Sequence, residues 1–513
     1  MMQTNHPYSA YQVRKSLIHF IFGKGATAII GIALLLFVVR ALPVNDYGIY
    51  IALLAVLEIT QLASNLGLFA AAYRYVPELR SQNKGAALHS LLLRLSALRL
   101  LTLIAAVAIM GLLSTPIVAL LNIKTYEQVF VLYGMVIVSE GFARYLDILF
   151  DSLLLQKYSQ ISSLIRNGLR LIGLVILMAS VVGDISLINW VKVELLASCI
   201  GAITSALILF TYSFNLKKKS PGLKGESVKP NKYLVFAGPS YLAQLIGLAY
   251  GPETTKLILT KISGVLQVGA FGFAASFSAM LQRYLPVFLL LGLVRPLFVS
   301  THNLADRNMR LNQLANIVLK LNLFVLFPLI AFMLASGDQL ASLLSGGKFP
   351  DAGSFLVILM VLLVFQTWHA VLGLVTLALE DGTSGLYGTV LGLLGLFAGV
   401  AFLPKFGAYS LCVGLIISEM MWCGYVLLSL YKKGMKLKND WLGTGKIFIF
   451  SLVALLVAEL SQQLFQAPQL LAICSDLIII GVVFTYLAYR IKPFTNDERN
   501  LINKILPRPV FVW

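Results

Sequence analysis

Charge is what this chain has least of. Only 12% of its 513 residues are Asp, Glu, Lys or Arg, against 58% hydrophobic, and its mean hydropathy is +0.85. A water-soluble fold could not cover so much apolar surface, so lipid is the expected solvent. Cysteine is scarce as well. Cys199, Cys412, Cys423 and Cys474 all fall in apolar runs without CxxC spacing, which argues against a disulfide framework or a zinc site. There are five histidines, and neither His19 nor His369, which lie inside apolar runs, has a metal-like partner at helical spacing. No glycine loop suited to cradling phosphate is present, no soluble domain interrupts the apolar runs, and the longest outer loops are about sixteen residues. Catalysis is therefore not expected.

What the chain does have is apolar runs of the length needed to cross a hydrocarbon core of about 30 Å, roughly 20 residues each. They fall near 16–39, 48–72, 88–113, 128–150, 159–182 and 187–213, and again near 234–258, 265–294, 311–336, 353–378, 384–403, 408–431, 445–463 and 469–489. The first is too long for a signal-peptide core and reads as a retained helix. Fourteen spans put both ends of the chain on one side. Connectors on that side carry 25 basic residues, whereas the opposite side carries six, Arg40, Lys124, Lys256, Lys261, Lys348 and Lys405. By the positive-inside rule both termini are expected in the cytoplasm, and the net charge of +18 is read as a topology signal rather than a nucleic-acid footprint.

A Lys-, Pro- and Gly-containing stretch at 215–232 reads as a cytoplasmic linker. It separates a lobe at 1–214, spans 1 to 6, from a second at 233–432, spans 7 to 12, with spans 13 and 14 and a tail at 433–513. A single shift of the sequence along itself maps Gly48 onto Gly269, Tyr50 onto Phe271 and Arg74 onto Arg295. Such an internal repeat is a common way to build a transporter, with the substrate between the halves. The expected fold is thus an all-α integral membrane protein of about fourteen transmembrane helices, in two six-helix bundles related by pseudo-two-fold symmetry plus two C-terminal helices.

Charges inside the spans are the candidates for function, since Arg or Lys at a helix centre costs about 2.5–3.5 kcal/mol unless it meets a partner or a wet cavity. Lys24, Arg170 and Arg283 lie deep, whereas Arg94, Lys192 and Lys320 are near enough to a boundary to snorkel. Glu140, Arg144, Asp147 and Asp151 share one face of span 4, which can either line a cavity or form a charge network with Arg166 and Arg170 on span 5. Glu58, Glu419, Glu459 and Asp476 can bind a coupling cation or proton, or simply be protonated or paired. Pro239, Gly251-Pro252 and Pro286 can break spans 7 and 8, and Glu253 and Lys256 can act as a gate pair or sit in a solvated loop.

The stretch Val39-Arg40-Ala41-Leu42-Pro43-Val44-Asn45-Asp46-Tyr47-Gly48-Ile49-Tyr50 resembles the junction of the first two helices in polysaccharide-export flippases. Asn65-Leu66-Gly67-Leu68, Arg74-Tyr75 and the segment Gly264 to Phe271 are similar to later landmarks of that family. It belongs to the multidrug/oligosaccharidyl-lipid/polysaccharide (MOP) exporter superfamily. The resemblance implies alternating access around a cavity lined by spans 1, 2, 7 and 8, with spans 13 and 14 guiding a lipid tail. The substrate it implies is an undecaprenyl-diphosphate-linked oligosaccharide, met by Lys24 and Arg283. Candidate substrate-binding cations are Lys24, Arg283, Arg144, Arg170, Arg74 and Arg295, and candidate coupling or gate residues are Glu58, Glu140, Glu253 and Lys256. The chain departs from the family pattern in clustering Arg94, Arg99, Arg144, Arg166 and Arg170 on spans 3 to 5. No catalytic residue, metal or resident cofactor is expected; a coupling ion, H+ or Na+, is. Expected partners are the lipid-linked oligosaccharide, membrane lipids, a polysaccharide polymerase and glycosyltransferases, in a bacterial plasma membrane. The alternatives are a multidrug/cation antiporter of the same superfamily, a peptidoglycan lipid-precursor flippase and, from a different class, a membrane polymerase or ligase, which the lack of a large outer loop disfavours.

Overall fold

The computed structural model describes the chain over residues 10–82, 84–180, 185–219, 230–289, 298, 307–379, 381–464 and 468–505. Among the described residues all regular structure is helical, as a lipid solvent requires of a chain that does not close into a barrel, because a helix satisfies its own backbone groups. Among the described residues twelve helices are long and apolar enough to cross a membrane. Two further helical positions, α1 (Ala10–Ala41) and α9 (Pro230–Ala249), fall where the remaining two of the fourteen spans are expected.

The first half continues as α2 (Val44–Ala63), α3 (Leu68–Ser81), α4 (Gly85–Leu112), the short α5 (Ser114–Leu120), α6 (Glu127–Ser152), α7 (Gln156–Ser180) and α8 (Leu187–Lys219). The run 48–72 is therefore not one helix. Leu66 and Gly67 adopt φ of 47° and 78°, and this left-handed pair ends α2 and starts α3. After α9 come α10 (Pro252–Ile262), α11 (Val265–Tyr284) and the single turn α12 (Pro286–Leu289). Here too the expected spans are interrupted. Pro252 and Pro286 lack the N–H that a continuing helix needs and disfavour helical backbone in the residue before them. The linker at 215–232 is described only at its edges, as the end of α8 and the start of α9.

The second half runs through α13 (Arg307–Ser345), α14 (Ala352–Ala378), α15 (Gly382–Ala401), the turn α16 (Leu403–Phe406) and α17 (Ala408–Lys432). It ends with α18 (Trp441–Leu464), α19 (Gln469–Ile491) and α20 (Asn496–Ile505). α13 outruns the expected 311–336 because nothing stops it before Gly346 and Gly347, which turn at φ of 66° and 83°. The shift that maps Gly48 onto Gly269 carries Val44–Ala63 onto Val265–Tyr284 end for end, and it brings the starts of α4 and α8 onto or next to those of α13 and α17. The same helix plan is used twice.

The chain divides into two compact units, Met1–Leu248 with Lys256–Gly269, and Ala249–Thr255 with Ala270–Trp513. In the first, α4, α6 and α8 pack on one another, and a core of Leu88, Leu92, Leu146, Leu149, Phe150 and Leu209 lies where they meet. In the second, α15 and α17 pack closest. A Cβ on Gly395 would stand 2.4 Å from the Gly414 carbonyl oxygen, so only glycine permits that approach. The C-terminal pair α18 and α19 is fastened to α13 at two levels. Asp476 accepts hydrogen bonds from Ser336 and Gln462, while Lys320, fully buried, reaches Asp440 at 2.7 Å and Glu498 at 2.6 Å. Lys320 thus does not snorkel. The opposite faces of the pair carry Leu456, Leu460, Leu477, Ile478 and Val482 uncovered, as suits hydrocarbon.

Candidate functional site

Helical spacing puts Glu140, Arg144 and Asp147 on one face of α6, and folding turns that face toward α2, α7 and α8 rather than outward. Glu140 is buried and gathers three arginines: Arg144 Nε at 2.8 Å, Arg166 Nε at 3.4 Å and Arg170 Nη2 at 2.7 Å. Arg144 continues to Glu58 of α2 at 2.6 Å, Arg166 to Asp147 at 2.7 Å and Arg170 to Glu194 of α8 at 3.5 Å. Asp151, one turn further along, accepts from the Ser159 hydroxyl. Ser198 donates to Glu140 at 3.1 Å and accepts from Arg170 at 2.8 Å, while the Tyr50 hydroxyl approaches Glu194 at 3.5 Å. Lys256 of α10, also buried, lies within electrostatic reach of Glu58.

Four carboxylates thus face three guanidinium groups and one ammonium, a near-neutral set, which is the condition under which charges tolerate a low-dielectric interior. The backbone is shaped to admit it. Arg166 lies across Gly201 of α8, where a Cβ would come within 2.2 Å of the Arg166 stem. Arg166 and Arg170 thus pack α7 against α6 through Glu140 and Asp147, whereas Arg144 ties α6 to α2 through Glu58. Three atoms remain without a hydrogen-bond partner among the described residues: Asp147 Oδ1, Glu194 Oε2 and Arg170 Nε. Exposure is graded along the network. Arg144 and Glu58 keep 38% and 37% of their side-chain surface uncovered, so only this end can exchange one partner for another.

Arg99 performs a different task. Fully buried on α4, it donates to the Gln61 carbonyl at 3.1 Å and to Ser64 Oγ at 3.2 Å, and its guanidinium lies over the Phe69 and Tyr145 rings. It supplies donors to the carbonyl freed where α2 breaks.

The other candidates are scattered. Lys24 falls in α1 with its side chain outside the described residues, and Arg295 lies outside them altogether. Arg283 is exposed in the last turn of α11, not in mid-helix, because the helix stops at Tyr284 ahead of Pro286; it makes no ion pair among the described residues. Arg74 is exposed on α3, over the Tyr75 ring at 5.9 Å. Glu253 and Lys256 both sit on α10, so they are helical rather than loop residues. Among the described residues no group of three or more His, Cys, Asp or Glu side chains could hold a metal ion.

Two features do not follow from the sequence reading. Glu194 is missing from it, although an acid in an apolar span is itself a signal. The pairing of His369 with Glu419, at 2.7 Å, joins residues 50 positions apart that no helical spacing could connect.

Comparison with solved structures supplies the wider frame. The chain matches the lipid II flippase MurJ, in an inward closed conformation, with a TM-score of 0.70 at 15% identity, over 94% of this chain and 100% of that one. An inward-facing multidrug resistance MATE family transporter of the MOP superfamily matches with a TM-score of 0.63 at 14% identity, over 79% of this chain and 94% of its own. The chain shares the fold of these two transporters. A MATE transporter from Vibrio cholerae shares it with a TM-score of 0.58 at 13% identity, over 84% of this chain and 98% of that one. No family model matches the chain, and no curated protein does. What the chain has in common with these transporters is a fold, and a fold by itself chooses neither a function nor a substrate.

Proposed function

We propose that this chain is a flippase that moves a polyprenyl-diphosphate-linked oligosaccharide from the cytoplasmic to the outer leaflet of a bacterial plasma membrane by alternating access, feeding polysaccharide synthesis. The observation that carries the choice of flippase over drug exporter is the extent of the match. Likeness to MurJ covers 94% of the 513 residues, and the part left over is shorter than α18 and α19 together, which hold 24 and 23 residues. Likeness to the MATE transporter covers 79%, and what it leaves over is long enough to contain both helices.

The chemistry agrees. A diphosphate head group entering a low-dielectric path needs cations that are not already spent, and Arg166 and Arg170 are spent on buried acids. Lys24, Arg283 and the exchangeable Arg144 are the cations assigned to it, with Glu58 as the group the substrate displaces from Arg144. The excess of basic connectors on one side supports cytoplasmic termini. A polymerase and glycosyltransferases are the partners that such a step requires.

Replacing Lys24→Glu and Arg283→Glu together, in a deletion strain complemented with the gene, is expected to abolish polymer export. Undiminished export by a normally expressed variant rejects the site. MurJ itself motivates a second reading, transport of the peptidoglycan lipid precursor. Growth rescue of cells depleted of their own lipid II flippase would establish it in place of the first; the first expects no rescue.

A further inference from the structure

In the second unit, His369 of α14 and Glu419 of α17 meet where neither has a reason to be unless it is used. His369 stands nine residues from the end of its helix, about 14 Å at 1.5 Å per residue, beyond easy reach of the interface for so short a side chain. Its Nδ1 lies 2.7 Å from Glu419 Oε2. Its ring stacks on Trp422 with centroids 3.5 Å apart and an interplanar angle of 5°. Trp422 is fixed in turn, its indole N–H donating to the Gly385 carbonyl at 3.2 Å while its ring lies against Gly388. The imidazole is therefore held on one edge and one face.

Nε2 has no hydrogen-bond partner among the described residues, and 37% of the side chain is uncovered, against 14% for Glu419. With Nδ1–H donated to the carboxylate, the tautomer is set and the Nε2 lone pair is the open acceptor.

From this geometry we propose that the His369–Glu419 pair is a proton-binding site of the second unit, loaded at Nε2, and that the proton is accordingly the coupling ion of transport. Uptake takes one proton from water onto Nε2 and leaves the Nδ1–H bond in place. The pair then passes from a net charge of −1 to a neutral ion pair, the form a low-dielectric setting favours. An imidazolium on the indole face also gains cation–π attraction, for which Trp is the best ring.

Neighbouring charges do not pre-empt the site. Lys320 on α13 is bound to Asp440 and Glu498, Asp338 lies beside Gly353 near the far end of α14, and Asp381 at the start of α15 is bound to Lys433. α12 carries no ionisable side chain. On the Glu419 side stand Cys423, whose thiol points at the Phe365 carbonyl, and Tyr250.

The coupling clause rests on the flippase reading, whereas the protonation itself does not. The test is a titration of 15N-histidine-labelled protein in lipid nanodiscs, with the His369 signal among the five histidines assigned from His369→Gln. We expect a protonation transition at His369 whose midpoint differs in Glu419→Gln, which removes the carboxylate that holds Nδ1–H. Absence of the transition, or an unmoved midpoint in Glu419→Gln, overturns the site. In complemented cells His369→Gln and Glu419→Gln are expected to lose polymer export at normal expression, and full export by both overturns the coupling. A deletion strain with no polymer defect refutes the flippase reading alone, and the titration still decides the proton site.

Discussion

Under the shift that lays α2 on α11, Glu140, Arg144, Arg166, Arg170 and Glu194 of the first repeat correspond to Val361, Phe365, Tyr387, Leu391 and Leu415 of the second. The helices that carry them start and stop at nearly matching positions, yet one repeat is bound through buried charge and the other through apolar side chains. Apart from Lys320, which turns to residues beyond the repeats, what the second keeps inside its spans is Asn322 donating to Thr367 at 2.7 Å, Gln282 to Gln366 at 2.8 Å, and the His369–Glu419 pair. One helix plan therefore does not require one chemistry of cohesion. Buried ion networks hold partners in register at high penalty for any missing member, whereas small-residue contacts such as Gly395 against Gly414 hold helices by close backbone approach with no charge to compensate.

The sharpest way to break this comparison is to remove one charge from the first repeat. Arg170→Met leaves Glu140 and Glu194 buried with less compensation, and the loss is expected at about 3–5 kcal/mol, seen as a large fall in the unfolding temperature of the purified protein. The matching substitution in the second repeat, Leu391→Met, exchanges apolar for apolar and is expected to cost less than about 1.5 kcal/mol. Equal losses from the two would mean that the network adds nothing to the first repeat beyond packing.

Arg99 and Lys320 allow a finer cut, since the same shift lays one on the other and both are fully buried. Arg99 serves the broken backbone of α2, while Lys320 holds residues that lie beyond the repeats. Arg99→Met and Lys320→Met are each expected to lose about 1–3 kcal/mol, because neutral acceptors are orphaned in the first and partly hydrated carboxylates in the second. Their local consequences differ. Only Lys320→Met should free α20, and trypsin should then cut at Arg499 faster than in the parent protein. Equal cleavage in both variants would remove the distinction.

Much of this was legible in the sequence because lipid imposes a length and a composition on every span, and twelve of the expected fourteen reappear among the described residues as helices that meet both criteria. The interruptions were legible where proline marks them, at Pro252 and Pro286. At Asn65-Leu66-Gly67 the break escaped, since a left-handed pair inside an apolar run leaves hydropathy unchanged. Spacing put Glu140, Arg144 and Asp147 on one face, and the arginines of α7 on another. It could not say that the faces meet, nor supply Glu58 and Glu194 from α2 and α8, because helix adjacency is a property of the bundle. His369 and Glu419 were each visible as an oddity and invisible as a pair for the same reason.

The smallest expected effect concerns an ion pair outside the spans, which sharpens the contrast with the buried network. Asp381 caps α15, its carboxylate accepting from the Ser384 N–H at 3.2 Å and lying 2.6 Å from Lys433. Partial burial works against its charge, but Lys433 and the hydroxyls of Ser384 and Thr383 outweigh it and hold the acid down at about 2. A depressed carboxyl stabilises the fold above its unfolded value near 3.9 and loses that stability as pH falls from about 4 through 2. Because Lys433 is half exposed, solvent screens the pair, and the contribution should be no more than about 1 kcal/mol. Asp381→Asn is therefore expected to lower the unfolding temperature slightly at pH 7 and to leave it unchanged near pH 2. The same acid scan on Arg170→Met should show its deficit still large at the pH where the Asp381 deficit has vanished, since the buried partners of Arg170 are shielded from the medium. Deficits that fade together over that interval would place the two pairs in the same dielectric and erase the distinction between buried and peripheral charge.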